Sequence, residues 1–183
     1  MASDNSKFSP TIGSRLYELR HRGLCFAVWD IGGNQSTINH WQLYLEKPNV
    51  IIYLIDANKK SELIAHEDSS HIEHLLQKAN FASKGSTSPK PLLIILLNNN
   101  TKNEAAGVNS MNILKYVKLN DIASSNGGYK FSVIETSPHE KHCWDRLKNE
   151  IFEHCHSLVK LGHLTQNACT TMALPNATVK NKT

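Results

Sequence analysis

Asp30 closes the apolar run "LCFAVW", and Gly32 and Gly33 follow it almost at once. A carboxylate beside a bare glycine backbone suits a magnesium phosphate. The acid holds metal-bound water, and glycine lets a backbone N–H approach a terminal phosphate with no Cβ in the way. Upstream, Thr11 in "SPTIG" offers a hydroxyl to the same metal. Three further apolar runs end in the polar groups Asp56-Ala57-Asn58, Asn98-Asn99-Asn100-Thr101 and Glu135-Thr136-Ser137. Singly, each of these ends is ordinary turn chemistry. Taken in order, as the carboxyl ends of successive strands, they describe the place where open α/β sheets bind ligands.

The elements that must position these groups follow from periodicity. "SRLYEL" alternates apolar and polar residues, turns at "RHRG" and resumes as "LCFAVWD", a hairpin signature. "NVIIYLIDA" and "PLLIILLN" are near-continuous Val/Ile/Leu runs, as expected of parallel strands covered on both faces. "YKFSVIET" is a fourth, weaker run. Between them, "SSHIEHLLQKA" places Ile72, Leu75, Leu76 and Ala79 on one helical face, and "SMNILKYVKL" does so with Met111, Leu114 and Val117. The longest helical pattern, "KHCWDRLKNEIFEHCHSLVKL", repeats Trp144, Leu147, Ile151, Cys155 and Leu158. Strands alternating with helices predict an α/β fold, a mostly parallel sheet with helices on both faces. From about Gly162 periodicity fades, so residues 7–161 are expected to form the domain and 162–183 a disordered tail.

Composition narrows the class. A chain of 183 residues with 40% hydrophobic and 20% charged residues fits one globular domain. The net charge of +4 is mild and no Lys/Arg stripe appears, so no nucleic-acid surface is implied. The four cysteines form no CxxC pair and no secretory signal precedes them, which reads as reduced thiols in a cytoplasmic protein. His139, His142, Cys143, His154, Cys155 and His156 are zinc-ligand types without a compact four-ligand spacing. His71 and His74, three apart, are read as a solvated helix face rather than a weak metal site.

The order of the motifs is similar to one family. "PTIG", a strand hairpin, "WDIGG", then Trp41 and Tyr44, then "IIYLIDA" resemble the Arf and Arf-like branch of the Ras-type small GTPases. The resemblance runs from about Phe8 to Leu161 and is specific from Pro10 to Asp56. It implies a GTP or GDP site with Mg²⁺: Thr11 and Asp30 at the metal, Gly32 and Gly33 at the γ-phosphate, and Asn98, Thr101, Thr136 and Ser137 around the guanine. It further implies effector or regulator proteins as partners, met through Ile12, Trp29, Trp41 and Tyr44, and a monomer acting in membrane traffic or signalling.

The departures from the family pattern shape the expected activity. The position of the family's catalytic glutamine is Asn34, with Gln35 one place later, and either side chain is poorly placed to orient an attacking water. Thr101 stands where the guanine-reading acid would be, and Pro138 removes a backbone donor from the Thr136-Ser137 motif. No GxxxxGK[ST] phosphate loop occurs in these residues, and residue 2 is Ala rather than the Gly that is myristoylated. Membrane association is thus expected to be indirect only, and nucleotide binding and hydrolysis to be impaired. By resemblance the chain lacks the family's first strand, phosphate loop and first helix, as an N-terminally truncated form would. That first strand lies centrally, between the strands matching "LCFAVWD" and "NVIIYLIDA". Without it, two strand edges face a gap. They close on each other, another segment or partner fills the slot, or the domain stays incompletely ordered. Closure or incomplete order is the expectation.

Overall fold

The computed structural model describes residues 10–45, 47–82, 89–99, 110–136, 141–164 and 169–175. Strands β1 (Ser14–His21) and β2 (Leu24–Ile31) form the expected hairpin, in register from Ser14 opposite Ile31 to His21 opposite Leu24. Its two-residue turn, Arg22-Gly23, takes positive φ at both positions, the geometry whose twist matches that of the strands it joins. A four-residue helix α1 (Gln35–Ile38) and a 3₁₀ turn (Trp41–Tyr44) lead to β3 (Val50–Asp56). Next come α2 (Ser61–Leu63), a π-helical turn (Ile64–Asp68) and α3 (Ser69–Ala82). Then follow β4 (Leu92–Asn98), α4 (Ser110–Val117), α5 (Leu119–Ser125), β5 (Phe131–Thr136), α6 (Lys141–Lys160) and β6 (Cys169–Pro175).

One six-stranded sheet runs β1-β2-β6-β3-β4-β5, parallel except for the β1–β2 hairpin. The strand period of two divides the core between its faces. Ile51, Tyr53 and Ile55 of β3, with Leu93, Ile95 and Leu97 of β4, face a layer that includes Ile72, Leu75 and Leu76 of α3 and Ile113 and Val117 of α4. Val50, Ile52, Leu92, Ile94 and Leu96 face Leu147, Ile151 and Cys155 of α6 on the other side. Burial on both faces is what made these two strands continuous in apolar sequence.

Three readings of the sequence change. The strip "SMNILKYVKL" is two helices, because Lys118 adopts a left-handed backbone (φ 50°) between α4 and α5. On α4, Ile113 and Val117 are buried and Met111 is exposed. On α6 the apolar stripe holds at Leu147, Ile151, Cys155 and Leu158, but Trp144 lies outside and Cys143 takes the buried place.

The third change concerns the gap. β2 and β3 do not close on each other. Part of the stretch expected as a tail enters the sheet there as β6, parallel to both neighbours. It pairs with β2 along seven positions, from Cys25 opposite Cys169 to Ile31 opposite Pro175, and with β3 at Val50–Met172 and Ile51–Ala173. Backbone N–H and C=O groups of two apolar strands require partners, and a strand supplies them without a side-chain signature of its own. Pro175, with no N–H to donate, is the last residue of the strand.

Candidate functional site

Thr11 and Asp30, nineteen residues apart in the chain, meet: the Thr11 hydroxyl donates to Asp30 Oδ2 at 2.9 Å. Two backbone features hold them together. Gly32 N–H donates to the Gly13 carbonyl at 2.8 Å, which ties the segment before β1 to the end of β2. A Cβ on Gly32 would lie 2.4 Å from the Thr11 carbonyl oxygen and 3.3 Å from that of Gly13, so only glycine permits this approach. Gly33 follows directly. The indole N–H of Trp41 donates to the Gly32 carbonyl at 3.3 Å, fixing the turn from the protein side.

Asn34 is engaged at the start of α1. Its Oδ1 accepts from Thr37 N (2.8 Å), Thr37 Oγ1 (2.8 Å) and Ser36 Oγ (2.6 Å), a helix N-cap. Gln35 is the first, exposed residue of α1. The side chains of the two candidates for orienting a water are thus a capping group and a surface residue.

The other strand ends are level with one another, Asp56 opposite Asn98 and Asn98 opposite Thr136. Asp56 Oδ1 accepts from the backbone N–H and side-chain amide of Asn58 at 2.9 and 3.0 Å. Ala57 N–H donates to the Asn98 carbonyl and Asn99 N–H to that of Thr136. Thr136 is buried, and its hydroxyl turns back to the Leu97 carbonyl at 3.5 Å. Thr101 and Ser137 lie outside the described residues.

Of the four residues expected on a partner surface, Ile12 is 88% exposed, and half-buried Trp29 and Tyr44 pack ring to ring at 5.6 Å between centroids. Trp41 is not on that surface. At 1% exposure it belongs to the core, edge-on to Tyr53 and His71, because its indole serves the Gly32 turn. Leu43, which no pattern singled out, is 67% exposed beside Tyr44 in the same 3₁₀ turn.

A buried polar cluster lies behind Trp41 and was not legible in the sequence. Tyr53 OH donates to Asp68 Oδ1 at 2.9 Å and lies 3.3 Å from His71 Nδ1, while Lys59 Nζ donates to Asp68 Oδ2 at 3.1 Å. With the phenol proton committed to Asp68, His71 Nδ1–H is the donor to the phenol oxygen. Burial raises the pKa of Asp68, opposed by the adjacent Lys59 ammonium, and burial lowers that of His71. His71 was read as half of a solvated pair with His74; it turns toward the core because it lies one helical turn before the buried Leu75 on α3. Tyr53 inside an apolar strand was the one available signal.

His142 Nε2 lies 3.5 Å from Cys143 Sγ, but among the described residues no three metal-ligand side chains gather, and the others on α6 go elsewhere. His154 Nε2 meets the Asn49 carbonyl at 3.2 Å, His156 stacks on Phe152, and Cys155 is in the core. His139 lies outside the described residues. Among the described residues no helix is long and apolar enough to cross a membrane.

The sequence profile of the ADP-ribosylation factor (Arf) family matches residues 1–153. The chain belongs to the Arf family. Among curated Arf-like relatives, ADP-ribosylation factor-like protein 5 of Caenorhabditis elegans is 32% identical over 82 residues, 45% of either chain. ADP-ribosylation factor-like protein 2 of Drosophila melanogaster is 29% identical over 117 residues, 63% of this chain and 57% of that one. ADP-ribosylation factor-like protein alp41 of Schizosaccharomyces pombe is 39% identical over 54 residues, 30% of this chain and 29% of that one. The matches thus span between 29% and 57% of these relatives' own lengths. The fold is shared with the Arl6 (BBS3) small GTPase of Trypanosoma brucei, a structure with the bound nucleotide analogue GppNp. The TM-score is 0.63 at 14% identity, over 81% of this Arf-family chain and 85% of that one.

Proposed function

We propose that this Arf-family chain is an Arf-like small GTPase relative. It binds effector or regulator proteins in a guanine-nucleotide-dependent way, in cytoplasmic membrane traffic or signalling, with nucleotide binding and GTP hydrolysis impaired. The single observation that carries the reading is the convergence of Thr11 and Asp30 beside the Gly32-Gly33 turn. A hydroxyl and a carboxylate are the hard oxygen donors Mg²⁺ takes, and such a site leaves the rest of the octahedral shell to water and phosphate. Bound Mg²⁺ would neutralise phosphate charge. Thr11 and Asp30 would hold it directly or through water, and Gly32 keeps the two segments close enough to do so. The capping of α1 by Asn34 supports slow hydrolysis, because that oxygen is already shared among three donors.

A second reading is supported by Ile12, Trp29 and Tyr44. Two aromatic rings and an exposed isoleucine make a partner surface whether or not nucleotide is present, as in a nucleotide-independent interaction module. Binding of a fluorescent GTP analogue with and without Mg²⁺ separates the two. Micromolar or tighter Mg²⁺-dependent binding that Thr11→Ala and Asp30→Ala weaken supports the first. No binding by a folded chain supports the second and refutes the first.

A further inference from the structure

A continuous set of contacts leads from the Gly32 carbonyl into the protein. Trp41 Nε1–H holds the carbonyl at 3.3 Å. The Trp41 ring is held edge-on by Tyr53 (6.5 Å between centroids) and His71 (6.0 Å). Tyr53 and His71 are joined to each other through the phenol oxygen at 3.3 Å. Tyr53 in turn is anchored on Asp68, fully buried in the π-helical turn, whose other oxygen takes the Lys59 ammonium, so His71 reaches the carboxylate through the phenol. Tyr53 is on β3, His71 on α3, and Asp68 and Lys59 on the segment between them. Three separate pieces of backbone therefore fix one indole ring. A core that needed only apolar packing would place no carboxylate there, since a buried charge costs several kcal/mol unless paired and hydrogen-bonded. Such a network gains a unique geometry instead.

We infer that Tyr53 and His71, anchored on Asp68, are positioning residues for the Gly32-Gly33 turn, acting on it through the indole of Trp41. The inference rests on the reading of that turn as the phosphate-facing part of the site. Its physical content, that the phenol–imidazole–carboxylate contacts set where the indole N–H points, is measurable without any ligand. Loss of the phenol oxygen leaves the Tyr53 ring in place but removes the link between Asp68 and His71. The imidazole is then no longer fixed against the Trp41 ring, one of the two edges that orient the indole is freed, and its hydrogen bond to Gly32 loosens.

The test is the indole N–H resonance of Trp41 in the ligand-free protein, identified by its disappearance in Trp41→Phe. Tyr53→Phe and His71→Leu are expected to shift that resonance and to lower its protection from hydrogen exchange by about tenfold, the worth of one ordinary hydrogen bond. His71→Asn, which keeps a donor near the phenol oxygen, should lie closer to the parent. Ile134→Val, in the core on the opposite face of the sheet, should lower global stability and leave the resonance where it was. A Trp41 resonance unmoved in Tyr53→Phe and His71→Leu would overturn the inference, as would a shift of equal size in Ile134→Val. In a second arm, GTP analogue with Mg²⁺ is added to the same variants. A parent protein that fails to bind refutes the nucleotide reading, while the ligand-free arm still decides whether these residues position the turn.

Discussion

Gly32→Ala is the sharpest perturbation of the site, because the obstacle is backbone rather than a movable side chain. The added Cβ would stand 2.4 Å from the Thr11 carbonyl oxygen, whereas ordinary contact begins at 3.4 Å, so the segment before β1 and the turn after β2 must separate by the 1.0 Å difference between those two distances. The Thr11–Asp30 hydrogen bond is 2.9 Å long, and lengthening it by that much takes it beyond hydrogen-bonding distance. Overpacking costs about 1–3 kcal/mol, and the lost hydrogen bond adds about 1 kcal/mol. The expected destabilisation is therefore about 2–4 kcal/mol, read as a lower urea midpoint at unchanged slope. Gly13→Ala is the control. Its Cβ meets nothing within 4 Å, and its cost is only the strain of φ +73°, about 1–2 kcal/mol. If Gly32→Ala unfolds within about 0.5 kcal/mol of the parent, the close approach of the two segments is not a feature of the protein in solution.

Asn34→Ala should cost about 0.5–2 kcal/mol by removing the N-cap of α1, while any GTP turnover stays at the parent rate; a clear loss of turnover would make Asn34 catalytic. Removing residues 165–183 strips β6 from the sheet and exposes facing edges of β2 and β3. That form should aggregate or lose its cooperative unfolding transition, and a monodisperse, cooperatively unfolding product would show that β6 is dispensable. His154 carries a pH dependence of known sign. Burial lowers its folded pKa beneath the ordinary 6.5, so the unfolded chain binds the extra proton; its stability contribution is complete above 6.5 and is lost as pH falls through the lowered value. His154→Gln should flatten urea midpoints over that acidic window, and an unchanged slope would refute the assignment.

The parts of the fold that were legible are those whose burial pattern repeats. β3 and β4 are covered on both faces and show it in every residue, and α6 shows its stripe at helical spacing. β6 was not legible, because its role is to supply backbone partners, and "CTTMALP" carries neither a helical nor a strict strand period. The same limit applied to Trp41. Residue type and neighbourhood placed it with the exposed aromatics, whereas a single hydrogen bond to Gly32 decides that it faces inward. At the site, strand-end chemistry and the resemblance to the Arf family put Thr11, Asp30 and Gly32 together, and the structure brings the three into contact. It did not identify Asp68, whose burial depends on a π-helical turn that no local pattern announces.

Mg²⁺-dependent binding of a fluorescent GTP analogue to the intact chain, compared with Asp30→Ala, tests the central claim most directly. The expected result is micromolar or tighter binding that requires Mg²⁺ and falls at least about tenfold when the carboxylate is removed, as loss of a charge-assisted contact entails. A cooperatively folded chain that binds no analogue, or binds it equally well without Asp30, would contradict the assignment of the β2 end as a magnesium–phosphate site.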